Sequence, residues 1–340
     1  MRSVVKSGFA LHRYFLIVIL FSLLIPLGFS QPKKKRVLAT ASMWQDMCKV
    51  ISGGLVDCDV IVPIGSDPHL YEPTPADLIK VGQSDLILIN GLTFEGWLAK
   101  LIYNSGTNAK QVIISEGVAV IQSEIYHNAT DPHAWMNAAN GAVYAKNIAN
   151  ALCILDPLHT EEYQFNAAIY IKQLKDLDSS ITQLIQSIPE AHRILITSHD
   201  GFRYFGNHYG IQLEPLQGTS TEADVQSTTL LHVNTVIREH QVPAIFVEST
   251  INPKLIQQIQ KENKIIIGGK LYADSLGDST SQAGTYAGML QYDAEVISRA
   301  LNIADHKGQS STSFFGNKIY FFIIAFYMVS LTAIYLINKK

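Results

Sequence analysis

Short apolar segments rich in β-branched residues recur eight times along this 340-residue chain and alternate with amphipathic stretches. The segments are VLATA (37–41), DVIVPI (59–64), LILIN (86–90), QVIIS (111–115), RILITS (193–198), IQLEPL (211–216), AIFVES (244–249) and KIIIGG (264–269). They are bounded by Gly, Pro or Asp, and most are apolar on both faces, as expected of strands buried in a parallel sheet. Because alternating strands and helices build βαβ units, the sequence predicts an α/β fold.

A long stretch without Gly or Pro separates the first four segments from the last four. It covers residues 160–188, begins with Thr160 ahead of two glutamates and stops before Pro189, which predicts one helix that is capped at its start. At ~1.5 Å per residue this helix would extend ~44 Å. We therefore predict two lobes, each with a four-stranded, mainly parallel sheet flanked by helices, joined by one long backbone helix. The predicted units are an N-terminal lobe over 36–158, a linking helix over 159–189 and a C-terminal lobe over 190–305.

The N-terminal end has the layout of a secretory signal peptide over residues 1–30. Basic residues precede an apolar run at 14–29, and Gly28 and Ser30 supply small residues at a cleavage site before position 31. An uncleaved membrane anchor is the alternative, and the basic KKKR at 33–36 favours it. We expect the body of the protein to be exported.

A second apolar run, IYFFIIAFYMVSLTAIYLI, occupies residues 319–337. It contains 19 uncharged residues and is followed by Lys339 and Lys340, which predicts a transmembrane segment with a cytoplasmic tail. A buried core helix is the alternative. We expect a periplasmic or cell-surface body that a linker at 306–318 and this segment anchor to the cytoplasmic membrane.

Charge and cysteine content exclude two classes of site. A formal net charge of −3 provides no basic surface for nucleic acid, and the spacing of Cys48, Cys58 and Cys153 does not resemble a zinc knuckle. None of these cysteines follows the apolar run of the signal, so lipid attachment there is not expected. In an oxidising compartment Cys48 and Cys58 could pair, a question that geometry decides.

The tripeptide Asp-Pro-His occurs twice and gives His69 and His133 the same local context. Both histidines follow predicted strands of the first lobe, while His199 and Asp274 follow predicted strands of the second. Ligands of open α/β sheets bind beyond the carboxyl ends of the strands. We therefore predict that these four side chains converge on one metal ion.

Three imidazoles and one carboxylate form a four-coordinate set that suits Zn²⁺, and a bidentate carboxylate would also admit Mn²⁺ or Fe²⁺. In each Asp-Pro-His turn, proline restricts the backbone and the aspartate can accept hydrogen bonds from nearby amides, which fixes the direction of the histidine. A single histidine at a strand end is more often a surface or supporting group than a ligand, so the prediction depends on the combination. The other body histidines lack such placement and are interpreted as solvated or structural: His127, His159, His192, His208, His232, His240 and His306.

Seven longer motifs occur in a characteristic order along residues 36–303: VIVPIGSDPHLYEPTPADL, NGLTFEGWLAKL, DPHAWMN, SHDGFRYFGNHYG, QGTSTEADVQ, FVEST and GGKLYADSLG. They resemble the metal-binding solute-binding proteins of ABC transporters for zinc, manganese or iron, the TroA-like family of cluster A-I. The resemblance implies a helical-backbone metal receptor with its metal between two lobes. It places the family's four ligand positions on His69, His133, His199 and Asp274.

The resemblance implies a monomeric, non-enzymatic carrier that captures one divalent Zn, Mn or Fe ion and delivers it to a membrane permease. The chain departs from the family in its lack of a lipidated cysteine, in its C-terminal apolar run and in the short IQSEIYHNAT segment where zinc-specific members hold a His-rich loop. Histidine rather than glutamate at position 199 favours a zinc-type site. Since the metal requires neutral imidazoles, affinity is expected to fall as pH drops through ~6.5.

Two other functions are compatible with parts of the sequence. A zinc hydrolase would keep one coordination position open for water, but the chain has no His-Glu-x-x-His helix and no acidic residue with an evident role as base. A metal-binding surface adhesin would suit the C-terminal membrane run. It would not explain four ligand-type residues at strand ends.

Overall fold

The computed structural model describes residues 33–122, 130–222 and 224–302. The predicted signal peptide at 1–30, the linker at 306–318 and the membrane segment at 319–337 lie outside these ranges. Within them, no helix combines the length and the apolar character that a membrane span requires.

The first half of the chain forms one parallel four-stranded sheet in the order β2-β1-β3-β4. Its strands are β1 (Arg36–Ala39), β2 (Asp57–Val60), β3 (Leu86–Ile89) and β4 (Lys110–Ile113). Helices α1 (Ser42–Ser52), α2 (Pro75–Gln83) and α3 (Leu98–Ser105) connect them. Alternate residues of the central strands pack into two different apolar clusters: Leu86 and Leu88 into one, Ile87 into the other. Both faces of the sheet are therefore buried, as the apolar runs predicted.

Two helices follow this sheet, α4 (Ala138–Leu155) and α5 (Thr160–Gln186). Helix α5 has 27 residues and packs against α1 and α4 and against a helix at the C-terminal end of the body. The predicted cap at Thr160 is wrong. A 3₁₀ turn over Pro157–His159 runs directly into the helix, so Thr160 is already helical and its hydroxyl donates to the carbonyl of Pro157 at 3.1 Å.

The second half contains two parallel strand pairs, β5 with β6 and β7 with β8. These strands are β5 (Ile194–Thr197), β6 (Gln212–Pro215), β7 (Ala244–Glu248) and β8 (Ile266–Leu271). Helices α6 (Arg203–Tyr209), α7 (Ser227–His240), α8 (Lys254–Asn263) and α9 (Tyr286–Leu301) accompany them. Strand β5 lies beside β7, but in the described residues the hydrogen-bonded ladder joins only the two strands within each pair. The chain is thus an α/β protein with parallel sheets, and among the described residues only the first half has four strands in one ladder.

One large apolar cluster continues from the first half into the second, from Val37 to Leu301. Hydrogen bonds cross the same boundary: the indole of Trp135 donates to the carbonyl of Ala273 at 2.8 Å, and the N–H of Leu276 donates to Ser42 Oγ at 3.0 Å. The two halves therefore pack directly against each other through this cluster and these hydrogen bonds.

Candidate metal centre

The four predicted side chains lie together at the junction of the two halves. One ligand-type atom from each of His69, His133, His199 and Asp274 falls within 4.8 Å of every other. The side chains of His133, His199 and Asp274 are fully buried, and that of His69 is 6% exposed. Among the residues described, this is the single group of three or more His, Cys, Asp or Glu with such spacing.

The two Asp-Pro-His turns have the same hydrogen bond. Asp67 Oδ1 accepts the backbone N–H of His69 at 2.8 Å, and Asp131 Oδ1 accepts that of His133 at 2.9 Å. Both turns therefore use the aspartate side chain to fix the backbone of the histidine, as the sequence predicted.

Two further carboxylates orient the imidazoles from behind. Asp131 Oδ1 lies 2.8 Å from Nδ1 of His133. Glu248, at the end of β7, places Oε2 2.7 Å from Nδ1 of His199 and accepts the backbone N–H of that residue at 2.9 Å. A carboxylate that holds Nδ1 leaves Nε2 free to face the centre, an arrangement typical of histidine ligands.

The sequence analysis assigned neither of these supporting contacts. Glu248 is 49 residues from His199 in the sequence, and the Asp131 carboxylate was predicted only to accept hydrogen bonds from nearby backbone amides. The signal that could have pointed to Glu248 was its place at the carboxyl end of a predicted strand, where the ligand residues also lie.

The carboxylate of Asp274 is the most unusual group of the centre. Neither of its buried oxygens has a hydrogen-bond partner among the residues described. They lie 3.2 Å from Nε2 of His199, 3.4 Å from Nε2 of His133 and 3.8 Å from Nε2 of His69. The three Nε2 atoms are also close, with His133 3.3 Å from each of the other two. A buried charge without hydrogen bonds is costly, and a cation between these atoms would compensate it.

The charges of the site affect its histidines differently. Burial, only partly opposed by Asp274, lowers the pKa of His69 to about 3. Burial also acts to lower the pKa of His133, but the hydrogen bond to Asp131 and the nearby carboxylate of Asp274 more than offset it and raise that pKa to about 9. In the same way Glu248 and Asp274 overcome burial and raise the pKa of His199 well above its usual range. The pKa of His69 is thus lowered, while the pKa values of His133 and His199 are raised.

Aromatic rings form the wall on the side of the first half. The ring centre of Phe94 lies 5.2 Å from that of His69, and Trp135 lies 5.2 Å from His133. Phe94 and Trp135 also contact each other and Trp44. This wall excludes water from two of the imidazoles and strengthens electrostatic interactions among the polar groups.

The segment that carries Phe94 has a strained backbone. Gly91, Leu92 and Thr93 have φ values of 77°, 52° and 67°, and a left-handed conformation costs roughly 1–2 kcal/mol for a residue with a side chain. The carboxylate of Glu95 stabilises the turn. It accepts the N–H of Asn90 at 2.7 Å through Oε1 and that of Gly91 at 3.0 Å through Oε2.

We expect Glu95→Gln to lower the free energy of unfolding by about 1–3 kcal/mol, because the amide removes one acceptor and leaves a buried N–H unpaired. Burial raises the pKa of Glu95 from 4.5 to about 7, with hydrogen bonds from Thr40 and the backbone opposing it. A carboxyl with a raised folded-state pKa contributes stability that is full below 4.5 and is lost as pH rises through about 7. The deficit of the variant should therefore be largest in acid and shrink towards alkaline pH.

Urea unfolding of both proteins from acidic to mildly alkaline pH measures this difference. Exposed Glu72→Gln is the matched control and should leave stability unchanged. A deficit that grows with pH would contradict the assigned role of Glu95.

The other described histidines do not join the centre. Three of them pair with carboxylates elsewhere, namely His159 with Asp156, His208 with Asp178 and His232 with Glu214. His127 and His306 lie outside the described residues.

Comparisons with known proteins identify the family of this chain. The sequence matches the family described as zinc-uptake complex component A, periplasmic, over residues 37–300. The chain belongs to this family. It is 34% identical over 281 residues to the manganese ABC transporter substrate-binding lipoprotein PsaA of Streptococcus pneumoniae, a match that covers 80% of this chain and 91% of that one.

Two further relatives differ in the metal that they are named for. The iron-binding protein YfeA of Yersinia pestis is 33% identical over 269 residues, which cover 78% of this chain and 86% of that one. The periplasmic zinc-binding protein TroA from Treponema pallidum has a TM-score of 0.75 and 32% identity over 79% of this chain and 99% of that one. The chain is thus a metal-binding substrate-binding component of a metal ABC transporter, not an enzyme. The hydrolase alternative is excluded.

Proposed function

We propose that this protein captures one divalent transition metal ion through Nε2 of His69, His133 and His199 and the carboxylate of Asp274, and delivers it to a membrane permease. The observation that carries the proposal is the buried Asp274 carboxylate. Its oxygens have no hydrogen-bond partner in the described part of the chain and face three imidazole nitrogens at 3.2–3.8 Å. Three neutral nitrogens and one anionic oxygen form a complete set for a four-coordinate cation. The site takes up the ion as cargo.

Zn²⁺ is the ion that we expect to bind most tightly in vitro. Imidazole ligands suit zinc, and affinities for nitrogen and oxygen sites generally rise from Mn²⁺ through Fe²⁺ to Zn²⁺. The two oxygens of Asp274 also permit bidentate coordination, which would accommodate Mn²⁺ or Fe²⁺. The names of PsaA, YfeA and TroA refer to manganese, iron and zinc, respectively. The availability of each metal ion in the compartment that contains the exported body then decides which ion is carried.

Metal content and calorimetry test this proposal. The purified chain should retain one divalent ion in native mass spectrometry, and the metal-free chain should bind Zn²⁺ more tightly than Mn²⁺ with a stoichiometry of one. Failure to bind any of the three metals at micromolar concentration would refute it.

Proton release provides an independent prediction. His133, with a pKa of about 9, and His199, with a pKa well above its usual range, must both lose their protons before they bind metal. We expect more than one proton to be released per ion near pH 7. Affinity should rise with pH up to about 9, whereas unperturbed histidines would end this rise at ~6.5. Calorimetry in buffers of different ionisation enthalpy measures the release. Binding without proton release would contradict the raised pKa values of His133 and His199.

The anchoring and the domain boundaries belong to the same proposal. We infer that the body is exported, that residues 319–337 hold it at the cytoplasmic membrane, and that the lobes are 36–158 and 190–305 with the helix at 159–189 between them. The continuation of β5 beside β7 supports a single sheet in the second lobe, in the order β6-β5-β7-β8. Fractionation of cells that express the full chain, compared with a chain ending at residue 305, tests the anchor. Equal recovery of the full and the shortened chain in the soluble exported fraction would refute the proposed anchor.

A further inference from the structure

Two cysteines outside the metal centre lie on neighbouring elements of the first half of the molecule. Cys48 lies on α1, Cys58 lies on β2, and both are free thiols. Cys58 contacts the helix on either side of Cys48: Gln45 Nε2 donates to its carbonyl at 3.1 Å, and Ser52 Oγ lies 3.8 Å from its Sγ. Residues three and four positions apart share one helix face. The side chain of Cys58 therefore lies against the face that carries Cys48.

The two thiols have different environments. Cys48 is fully buried, while Cys58 is half-buried at the edge strand of the sheet. The neighbouring Cys48 thiol lowers the pKa of Cys58, whereas the Cys58 thiol and burial raise the pKa of Cys48. Since the thiolate is the nucleophile, Cys58 is both the more accessible and the more reactive of the pair.

We propose that Cys48 and Cys58 are an oxidisable dithiol that a disulfide-containing oxidant, either a small-molecule or a protein disulfide, converts into an intramolecular disulfide. The Cys58 thiolate attacks one sulfur of the oxidant, forms a mixed disulfide and releases one thiol. Cys48 then gives up its proton and attacks Sγ of Cys58, which forms the Cys48–Cys58 bond and releases the second thiol. The pair loses two protons and two electrons, and the oxidant disulfide is reduced to two thiols.

The location gives this bond a mechanical consequence. Helix α1 carries Ser42 and Asp46, which accept the backbone N–H groups of Leu276 and Tyr286 in the second half. A disulfide would tie this helix to strand β2, which precedes the turn that carries His69. The inference depends on exposure to an oxidising compartment and not on the identity of the metal, so it can fail while the proposed metal capture holds.

The test uses the reduced full-length chain and oxidised glutathione as the probe. After incubation, acid quenching, denaturation and alkylation of the remaining thiols, peptide mass spectrometry should find Cys48 and Cys58 joined. Cys153, which has no cysteine partner among the described residues, serves as the internal reference. In Cys48→Ser the glutathione should instead remain on Cys58, because no second thiol can displace it.

Two outcomes would overturn the proposal. One is recovery of both Cys48 and Cys58 as alkylated thiols from the unmodified chain. The other is a stable glutathione adduct on Cys58 in the unmodified chain, since this would place Cys48 beyond reach. The unmodified chain decides both outcomes, so the folding of the variant does not limit the test.

Discussion

Replacing Asp274 with Ala should weaken metal binding by more than about 100-fold, because loss of a group that merely supports a ligand already costs 10–100-fold. Asp274 supplies the only anionic ligand-type atoms of the four-residue centre, and they contact all three imidazoles at 3.2–3.8 Å. Without the carboxylate the buried cation would have three neutral ligands and no compensating charge. Competition with a chelator of known affinity measures the change.

Two variants make this result specific. Asp274→Asn keeps the volume of the side chain and removes its charge, so it should lose most of the affinity even if Ala disturbs packing. Asp278→Ala removes an exposed carboxylate from the same loop and should bind metal as the unmodified protein does. Unchanged affinity in Asp274→Asn would show that the carboxylate is not a charged ligand.

Gly201→Ala should reduce metal affinity by at least about tenfold, the lower limit for disturbing the orientation of a ligand. A Cβ at this position would lie 2.6 Å from Cε1 and 2.7 Å from Nε2 of His199, and 3.2 Å from Cβ of Ala273. The imidazole cannot simply move aside, because Glu248 holds it at Nδ1. The added methyl group therefore displaces the nitrogen that faces the metal or occupies the space beside it.

Gly96→Ala is the matched control for this substitution. A Cβ at position 96 would meet no atom within 4 Å, so the variant should bind metal normally. Calorimetric affinities and melting temperatures of the metal-free proteins separate a local effect on His199 from general destabilisation. Wild-type affinity in Gly201→Ala would contradict the position of the His199 ring.

The strands and the four central residues were predictable because their signals are local. Each of the eight apolar segments overlaps an observed strand, and β-branched runs between turn residues determine such strands with little help from the rest of the chain. The repeated Asp-Pro-His turn marked His69 and His133, and its hydrogen bond forms within three residues. The start of the long helix was mispredicted at Thr160 because a preceding 3₁₀ turn competes for the same position.

The sequence alone determined the α/β class, the positions of the strands and which residue types follow their ends, since short-range sterics and apolar periodicity act over a few residues. Tertiary structure decided that three imidazoles and one carboxylate lie within 4.8 Å of one another, that Glu248 supports His199, and that Cys58 lies against the face of α1 that carries Cys48. It also decided the direction in which the pKa of each histidine of the centre shifts, because burial lowers these pKa values and neighbouring carboxylates raise them. These properties depend on distances between residues far apart in the chain, and such distances exist only after the two halves have packed.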